Sequence, residues 1–235
     1  MSISTKPNSP NRFLQLDSDF DPKVSLKFEL QPIIQFQRSA TIECELLYRG
    51  PIPAQWLDID RSVLKHLGST RLAEAILFVN IANESLLALP SELFTLAAQK
   101  NNVVFEVSES YSDPKTFDLI TAKINSLSLL GLKFAIDDFG NGQDGFKRLY
   151  AIHHCTHIKI DGIFFKTAMT RDDAATMLKI LIQQWQSRGI RVIVECVETV
   201  AHFIFAKELG FDKAQGWFVD KLVNDVPEGV VTVSM

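Results

Sequence analysis

The sequence predicts an α/β fold, a modified TIM (β/α)8 barrel with an antiparallel first strand. Three observations carry this prediction. Apolar runs of strand length alternate with segments of helical period along most of the chain. Those runs are nearly continuous in apolar residues, as in a parallel sheet covered on both faces. The first two runs are joined by "QRSA", far too short for a crossover helix, so they must pair antiparallel. At 235 residues and 46% hydrophobic, one barrel uses the whole chain.

The elements follow in order. "MSISTKPNSPNR" is polar and proline-bearing, so residues 1–24 are expected to form a flexible arm, with residues 25–235 a single barrel domain. "LKFELQPIIQF" and "TIECELLYR" are the antiparallel pair. A helix is expected around "DIDRSVLKHLGSTRLAEAI", then strand "LFVNIA", a helical stretch near "PSELFTLAAQK" and strand "VVFEVSES". "DPKTFDLITAKINSLSLLG" reads as a helix with a glycine stop, "LKFAIDDF" as a strand, "DGFKRLYAI" as a short helix and "THIKID" as a strand. The last third repeats the unit, with helix "TRDDAATMLKILIQQWQSRG", strand "IRVIVECV", helix "TVAHFIFAKELG" and strand "KAQGWFV". That makes eight candidate strands, with no linker and no repeat beyond the β/α unit.

Charge and cysteine content narrow the function. A formal charge of −4 without a basic run gives no electrostatic support for a DNA or RNA polymer as partner. No uninterrupted apolar stretch is long enough to span a bilayer, and the N-terminus has no apolar signal region, so neither membrane nor export is expected. Cys44, Cys155 and Cys196 are widely spaced and odd in number, which suits free thiols in a reducing cytoplasm.

Barrel chemistry collects at the C-terminal ends of the strands. There the apolar runs are interrupted by Glu45, Asn80, Glu106, Asp137 with Asp138, Lys159 with Asp161, Glu195 and Gln215. A single glutamate in a strand is more often solvated or paired with a lysine. Several carboxylates aimed into one mouth repel strongly, and one lysine cannot neutralise them, whereas bound cations can. Oxygen donors without a histidine or cysteine cluster describe hard ions, Mg²⁺ or Mn²⁺. The doubled aspartate suggests two of them, Asp137 pointing inward and Asp138 swinging toward the second at a strand end loosened by glycines. Such a site suits in-line attack of an activated water on a phosphodiester. A glycosidase would also use paired carboxylates, but leaves Asn80, Lys159 and the remaining acids without a role.

In this order, "LQPII", "ECELLYR", "FVNIANESL", "VVFEVSES", "IDDFGNG", "IKIDGIFF", "VIVECVET" and "KAQGWF" resemble the EAL-domain family of bacterial cyclic-di-GMP phosphodiesterases, over roughly residues 26 to 222. The resemblance implies a barrel with one antiparallel strand, hydrolysis of cyclic-di-GMP to linear pGpG, and two Mg²⁺ or Mn²⁺ ions. It implies that Glu45, Asn80, Glu106 and Asp137 hold metal, with Asp138 on the second ion. Lys159 and Glu195 would position and deprotonate the attacking water, with Glu45 also counted among the catalytic groups. Gln31, Arg49, Gln215 and Asp161 would contact substrate, and Glu109 and Glu198 would act as loop-organising and outer acids. A homodimer is compatible with the family, as is a catalytically weak or inactive cyclic-di-GMP receptor or protein-binding regulator.

The departures from the family pattern are specific. Leu46 stands where the name motif has alanine, a packing change beside Glu45. The loop "GNGQDGF" differs from the family's small-hydroxyl and tyrosine-serine pattern. Glu45 and Asn80 are only 35 positions apart, because a helix-bearing segment after Arg49 is shortened to "GPIPAQWLDID". The barrel wall exposed there must be covered by a partner chain, the N-terminal arm or the loop, and the loop is expected, with Ile52 and Trp56 packing on the wall. "HHCTH", with His153, His154 and His157, fits no usual zinc spacing and is expected in a loop. Trp185 on a helix, Trp217 in the last strand and the seventeen phenylalanines are expected to pack the core, although Trp217 follows the Gln-Gly pair closely enough to line the pocket.

Overall fold

The computed structural model describes residues 12–19, 21, 24–37, 42–72, 75–108, 113–142 and 145–225. Among the described residues nine strands and nine helices follow in the order β1 (Phe13–Asp17), β2 (Ser25–Gln35), β3 (Ile42–Tyr48), α1 (Leu57–Ser69), β4 (Ala75–Asn80), α2 (Asn83–Ala88), α3 (Ser91–Lys100), β5 (Asn102–Ser108), α4 (Pro114–Leu129), β6 (Lys133–Phe139), α5 (Gly145–Ala151), β7 (Cys155–Ile160), α6 (Gly162–Thr170), α7 (Asp172–Ser187), β8 (Arg191–Val194), α8 (Val200–Leu209), β9 (Lys213–Gln215) and α9 (Trp217–Asp225). Strands β3 to β9 are parallel neighbours in sequence order, and β2 closes the barrel by pairing antiparallel with both β3 and β9. Local chemistry ends the helices where expected. Asp113 accepts from the amides of Lys115 and Thr116 ahead of Pro114, and Gly210, at φ 93°, stops α8.

The alternation of side chains along each strand builds three layers inside the barrel. The middle is apolar: Ile33, Phe78, Val104, Ala135 and Ile193 pack together, fully or almost fully buried. Two residues further on toward the C-terminal mouth stand Asn80, Glu106, Asp137 and Glu195. On the other side of the middle the floor is polar again, built by Gln35 and by the barrel strands that give the middle no residue, β3, β7 and β9. Lys213 Nζ donates to Glu43 Oε2 at 2.6 Å and to His157 Nε2 at 3.0 Å, and Gln35 Nε2 donates to Glu43 Oε1. His157 lies in β7, as the strand reading of "THIKID" has it and the loop reading of "HHCTH" does not. Its Nε2 accepts from an ammonium, so the ring proton sits on Nδ1, 2.9 Å from Thr156 Oγ1, whose own proton goes to the Phe134 carbonyl.

Burial, and then the charges of Lys213, Lys133 and Arg191, push the His157 pKa well below the usual histidine value. A histidine held neutral in the fold contributes stability that is complete above the unfolded pKa of about 6.5 and is lost as pH falls below it, because only the unfolded chain takes up the proton. Urea melts of the wild type and His157→Gln are expected to show the wild type's advantage shrinking between pH 6.5 and 5. An advantage independent of pH would place the ring outside this network.

Three expectations need correction. The segment read as a flexible arm contains β1, paired residue for residue with the N-terminal half of β2 from Phe13↔Glu29 to Asp17↔Ser25. This edge of β2 is the one on which β9 occupies the other half, so β1 continues the wall beyond β9 at the mouth. The strand was missed because a proline-bearing polar start gives a five-residue stretch no periodicity of its own. "KAQGWFV" is a strand only to Gln215; α9 starts at Trp217, which is 74% exposed instead of packed. Not every phenylalanine is core either, since Phe13 and Phe146 are exposed.

The third correction concerns the shortened segment. Ile52 is 91% exposed, and Trp56 only leans edge-on against Tyr48. Part of the supposed arm covers the wall instead. Leu16 and Leu26 join the core with Ile59 and Val63 of α1, the Asp19 amide donates to Ser62 Oγ, and Lys65 Nζ pairs with the Asp19 carboxylate at 2.7 Å. Chemical denaturation is expected to show Leu16→Ala losing about 2–5 kcal/mol, and Ile52→Ala staying within about 0.5 kcal/mol of wild type. Equal losses would return the cover to the loop.

Candidate active site and metal centre

Strand ends deliver the acids to the mouth, and a bulge delivers one more than alternation permits. Pairing of β6 with β7 runs Ile136↔Ile158 and then Phe139↔Ile160, so Asp137 and Asp138 together lie opposite Lys159. Asp138 has φ 56°, in the left-handed region that aspartate tolerates better than most residues. Both neighbours thus reach one site: ligand oxygens of Glu45, Glu106 and Asp137 lie within 4.8 Å of one another, as do those of Asp137, Asp138 and Glu195. Asp137 belongs to both groups.

Lys159 fills the centre. Its Nζ is 3.1 Å from Glu45, 3.0 Å from Glu106, 3.0 Å from Asp137 and 2.9 Å from Glu195, with its side chain almost fully buried. Three N–H groups cannot serve four carboxylates. Glu106 Oε1 and Asp137 Oδ1 have no partner but the shared Lys159 ammonium, and Glu106 Oε2 has none among the described residues. Glu45 is the best supported: Asn80 Nδ2 donates to its Oε1 at 2.6 Å, and Lys159 and Gln215 Nε2 donate to its Oε2 at 3.1 and 2.5 Å.

The protonation equilibria follow this geometry. Burial pushes Glu45 up, but the Lys159 charge and the hydrogen bonds from Gln215, Lys159 and Asn80 outweigh it and hold the carboxyl below its usual range. Burial, then the charges of Glu45 and Asp137, raise Glu106 well above the carboxylate range. Burial lifts Glu195 to about 8 and Asp138 to about 6, with Asp137 adding to both. Burial opposes the Lys159 ammonium, yet the surrounding carboxylates raise its pKa well above normal. Four carboxylates sharing one ammonium in an all-oxygen donor set fit hard divalent cations, which would supply the positive charge that one lysine cannot.

The other residues expected at the site divide. Gln31 and Gln215 lie beside Glu45, with Gln215 Nε2 donating to Gln31 Oε1 at 2.8 Å. Gly216 permits this placement: at φ 143°, a Cβ there would stand 2.4 Å from the Val197 amide nitrogen. Arg49 is at the rim, its Nε donating to Glu29 at 2.8 Å. Asp161 caps α6, accepting from the amides of Ile163 and Phe164, and its charge adds to the lifting of Asp138. Glu198 is paired at the surface with Lys166, and Glu109 lies outside the described residues. Three rim residues were missed. Arg12 donates through Nε and Nη2 to Glu29 Oε1, and its Nη2 is 3.6 Å from Asp220. Glu29 was legible in principle, because an antiparallel strand brings its N-terminal half to the mouth. Arg12 and Asp220 were hidden by the misread arm and last strand.

The family profile described as the EAL domain matches residues 55–221. The chain belongs to the EAL-domain family. The matched region of this EAL domain includes Asn80, Glu106, Asp137, Asp138, Lys159, Glu195 and Gln215, and begins after Gln31, Glu45 and Arg49. The chain is 26% identical over 172 residues to the bifunctional diguanylate cyclase/cyclic di-GMP phosphodiesterase MucR of Pseudomonas aeruginosa, covering 71% of this chain and 23% of that protein. It spans less than a third of the length of the curated relatives it matches. Among solved structures, the FimX EAL domain from Pseudomonas aeruginosa bound to c-di-GMP superposes with a TM-score of 0.66 at 21% identity, over 88% of this chain and 89% of that one. The manganese/cy-diGMP complex of BlrP1 from Klebsiella pneumoniae also gives 0.66, at 22% identity over 90% of this chain and 61% of that one. These likenesses show the fold, a closed eight-stranded barrel with an extra strand. Among the described residues no helix is long and apolar enough to cross a membrane.

Proposed function

We propose that this EAL domain hydrolyses cyclic di-GMP to linear pGpG with the aid of two divalent cations, Mg²⁺ or Mn²⁺. The observation that carries the reading is the pair of carboxylate groups sharing Asp137, held by one lysine at the mouth of a closed barrel. Glu45, Asn80, Glu106 and Asp137 would hold one ion, and Asp137 with Asp138 and Glu195 the other. Bound divalent cations supply a water acidified toward neutral pH and positive charge against the phosphate oxygens. Lys159 holds the carboxylates in register and offers a proton donor at the site's centre. Burial raises the Glu195 carboxyl to about 8 in the metal-free site, and bound cations would favour its ionised form, in which it could receive the proton of the attacking water. Arg49, at the rim, would reach a phosphate oxygen of the ligand on leaving Glu29.

The relatives and structural neighbours named for cyclic di-GMP support the substrate. The test is incubation of the purified protein with cyclic di-GMP and Mn²⁺ or Mg²⁺, with and without EDTA, and chromatography of the product. Metal-dependent appearance of pGpG is expected, and an unchanged substrate overturns the reading. One observation favours a second reading, a receptor that binds without turnover. Arg49 and Gln31, both assigned to substrate, are engaged by Glu29 and Asp220. Saturable binding of cyclic di-GMP with no product would select it.

A further inference from the structure

We propose that Asp220 is a positioning residue which, through Gln31 and Gln215, fixes the amide that Gln215 presents to Glu45, and that Arg12 of the N-terminal strand anchors it. The inference rests on the reading of Glu45 as a metal ligand. Its basis is the alternation of donors and acceptors along one chain of side chains. Arg12 Nη2 lies 3.6 Å from Asp220 Oδ2. The same oxygen accepts from Gln31 Nε2 at 3.3 Å. Gln31 Oε1 accepts from Gln215 Nε2, which also donates to Glu45 Oε2.

Each orientation dictates the next. A carboxylate only accepts, so Glu45 requires the nitrogen end of Gln215. That nitrogen has two protons, and both are used, one on Glu45 and one on Gln31. Gln31 must therefore present its oxygen to Gln215, which turns its own nitrogen outward, where an acceptor is needed. Asp220 is that acceptor. Without it Gln31 is free to flip, setting nitrogen against nitrogen and releasing the Gln215 amide from its orientation. Gln215 and Asp220 are buried, so the choice is made away from bulk water. The pinned orientation leaves Gln215 Oε1 buried with no partner among the described residues, an acceptor available to a water at the site. Residues that orient metal ligands in this way typically change metal affinity or activity by about 10–100-fold when removed.

The test uses the whole chain and two readouts, only one of which needs metal. In ¹⁵N-resolved spectra of metal-free wild type, the side-chain amide protons of Gln215 are expected to exchange slowly with water. In Asp220→Ala they should exchange faster, and in Asp220→Asn, which keeps an acceptor for Gln31, slow exchange should return. Calorimetry with Mn²⁺ alone should show affinity weakened about tenfold or more in Asp220→Ala and recovered in Asp220→Asn. Gln31→Met, which interrupts the chain nearer the site at similar volume, reads the same two quantities if Asp220→Ala does not fold. Slow exchange persisting in the interrupted variants overturns the relay. Fast exchange with unchanged Mn²⁺ affinity overturns its positioning role. No Mn²⁺ binding by wild type overturns the metal reading and this role with it, while the exchange data still report whether the hydrogen-bonded chain exists.

Discussion

Asp137→Asn is expected to lower kcat for cyclic di-GMP hydrolysis by about 10³-fold or more, and Glu45→Ala by about 10²–10³-fold, while the circular dichroism of both stays that of the wild type. Asp137 should have the larger effect because it is the one carboxylate common to both groups of ligand oxygens, so its loss disables both. Asparagine keeps the shape and the bulge and removes the charge, leaving little reason for the fold to change. Glu45 belongs to one group, but three donors converge on it, and alanine leaves those of Asn80, Lys159 and Gln215 to be redirected. Steady-state rates at saturating Mn²⁺ measure both. A near-normal rate for Asp137→Asn, with EDTA still abolishing activity in the wild type, would move the metal elsewhere.

Lys159→Met should separate the lysine's structural work from its chemical work. In the metal-free protein the ammonium is the only cation within 4 Å of the carboxylates of Glu45, Glu106, Asp137 and Glu195 among the described residues. Removing one side of a buried charge network typically destabilises by about 3–5 kcal/mol, since the remaining charges stay buried without compensation. The melting temperature should fall in EDTA and recover on adding Mn²⁺, because cations binding the folded state replace the missing charge and shift the equilibrium toward it. Hydrolysis should remain low even in the stabilised protein. If Lys159→Met melts like wild type in EDTA, the carboxylates accept protons readily enough to need no counter-ion, and the lysine's part is chemical alone.

The barrel was legible because its strands are short apolar runs separated by helical periods, and because "QRSA" admits only an antiparallel turn. The acids were legible for a different reason: a carboxylate at the end of an apolar run has to be explained. Their grouping was legible in outline, with Asp138 swinging to a second ion where glycines loosen the strand end, but the bulge that produces it was not. Asp137 and Asp138 would face opposite sides in a regular strand, and only the shifted pairing with β7 and the positive φ of Asp138 bring them together. What escaped lies where sequence periodicity is weakest. The five residues of β1 gain their conformation from the edge of β2 and from α1, and Asp220 gains its place from a helix that starts immediately after the last strand. The exposed Ile52 shows the converse, an apolar residue whose neighbourhood on the page of the sequence suggested packing that the fold gives to Leu16.

The double pairing of β2 has a consequence for synthesis. Residues Ile33, Ile34 and Gln35 find their second neighbours only in Gln215, Ala214 and Lys213, near the other end of the described chain. During vectorial emergence from a ribosome this edge stays open until almost the whole barrel has been made, although its other face can already pair with β3. Open edges template association between chains, and pairing at such sequence separation forms slowly. The exposure is limited to the C-terminal half of β2, because β1, made just before it, already pairs with Ser25–Glu29 on the same edge.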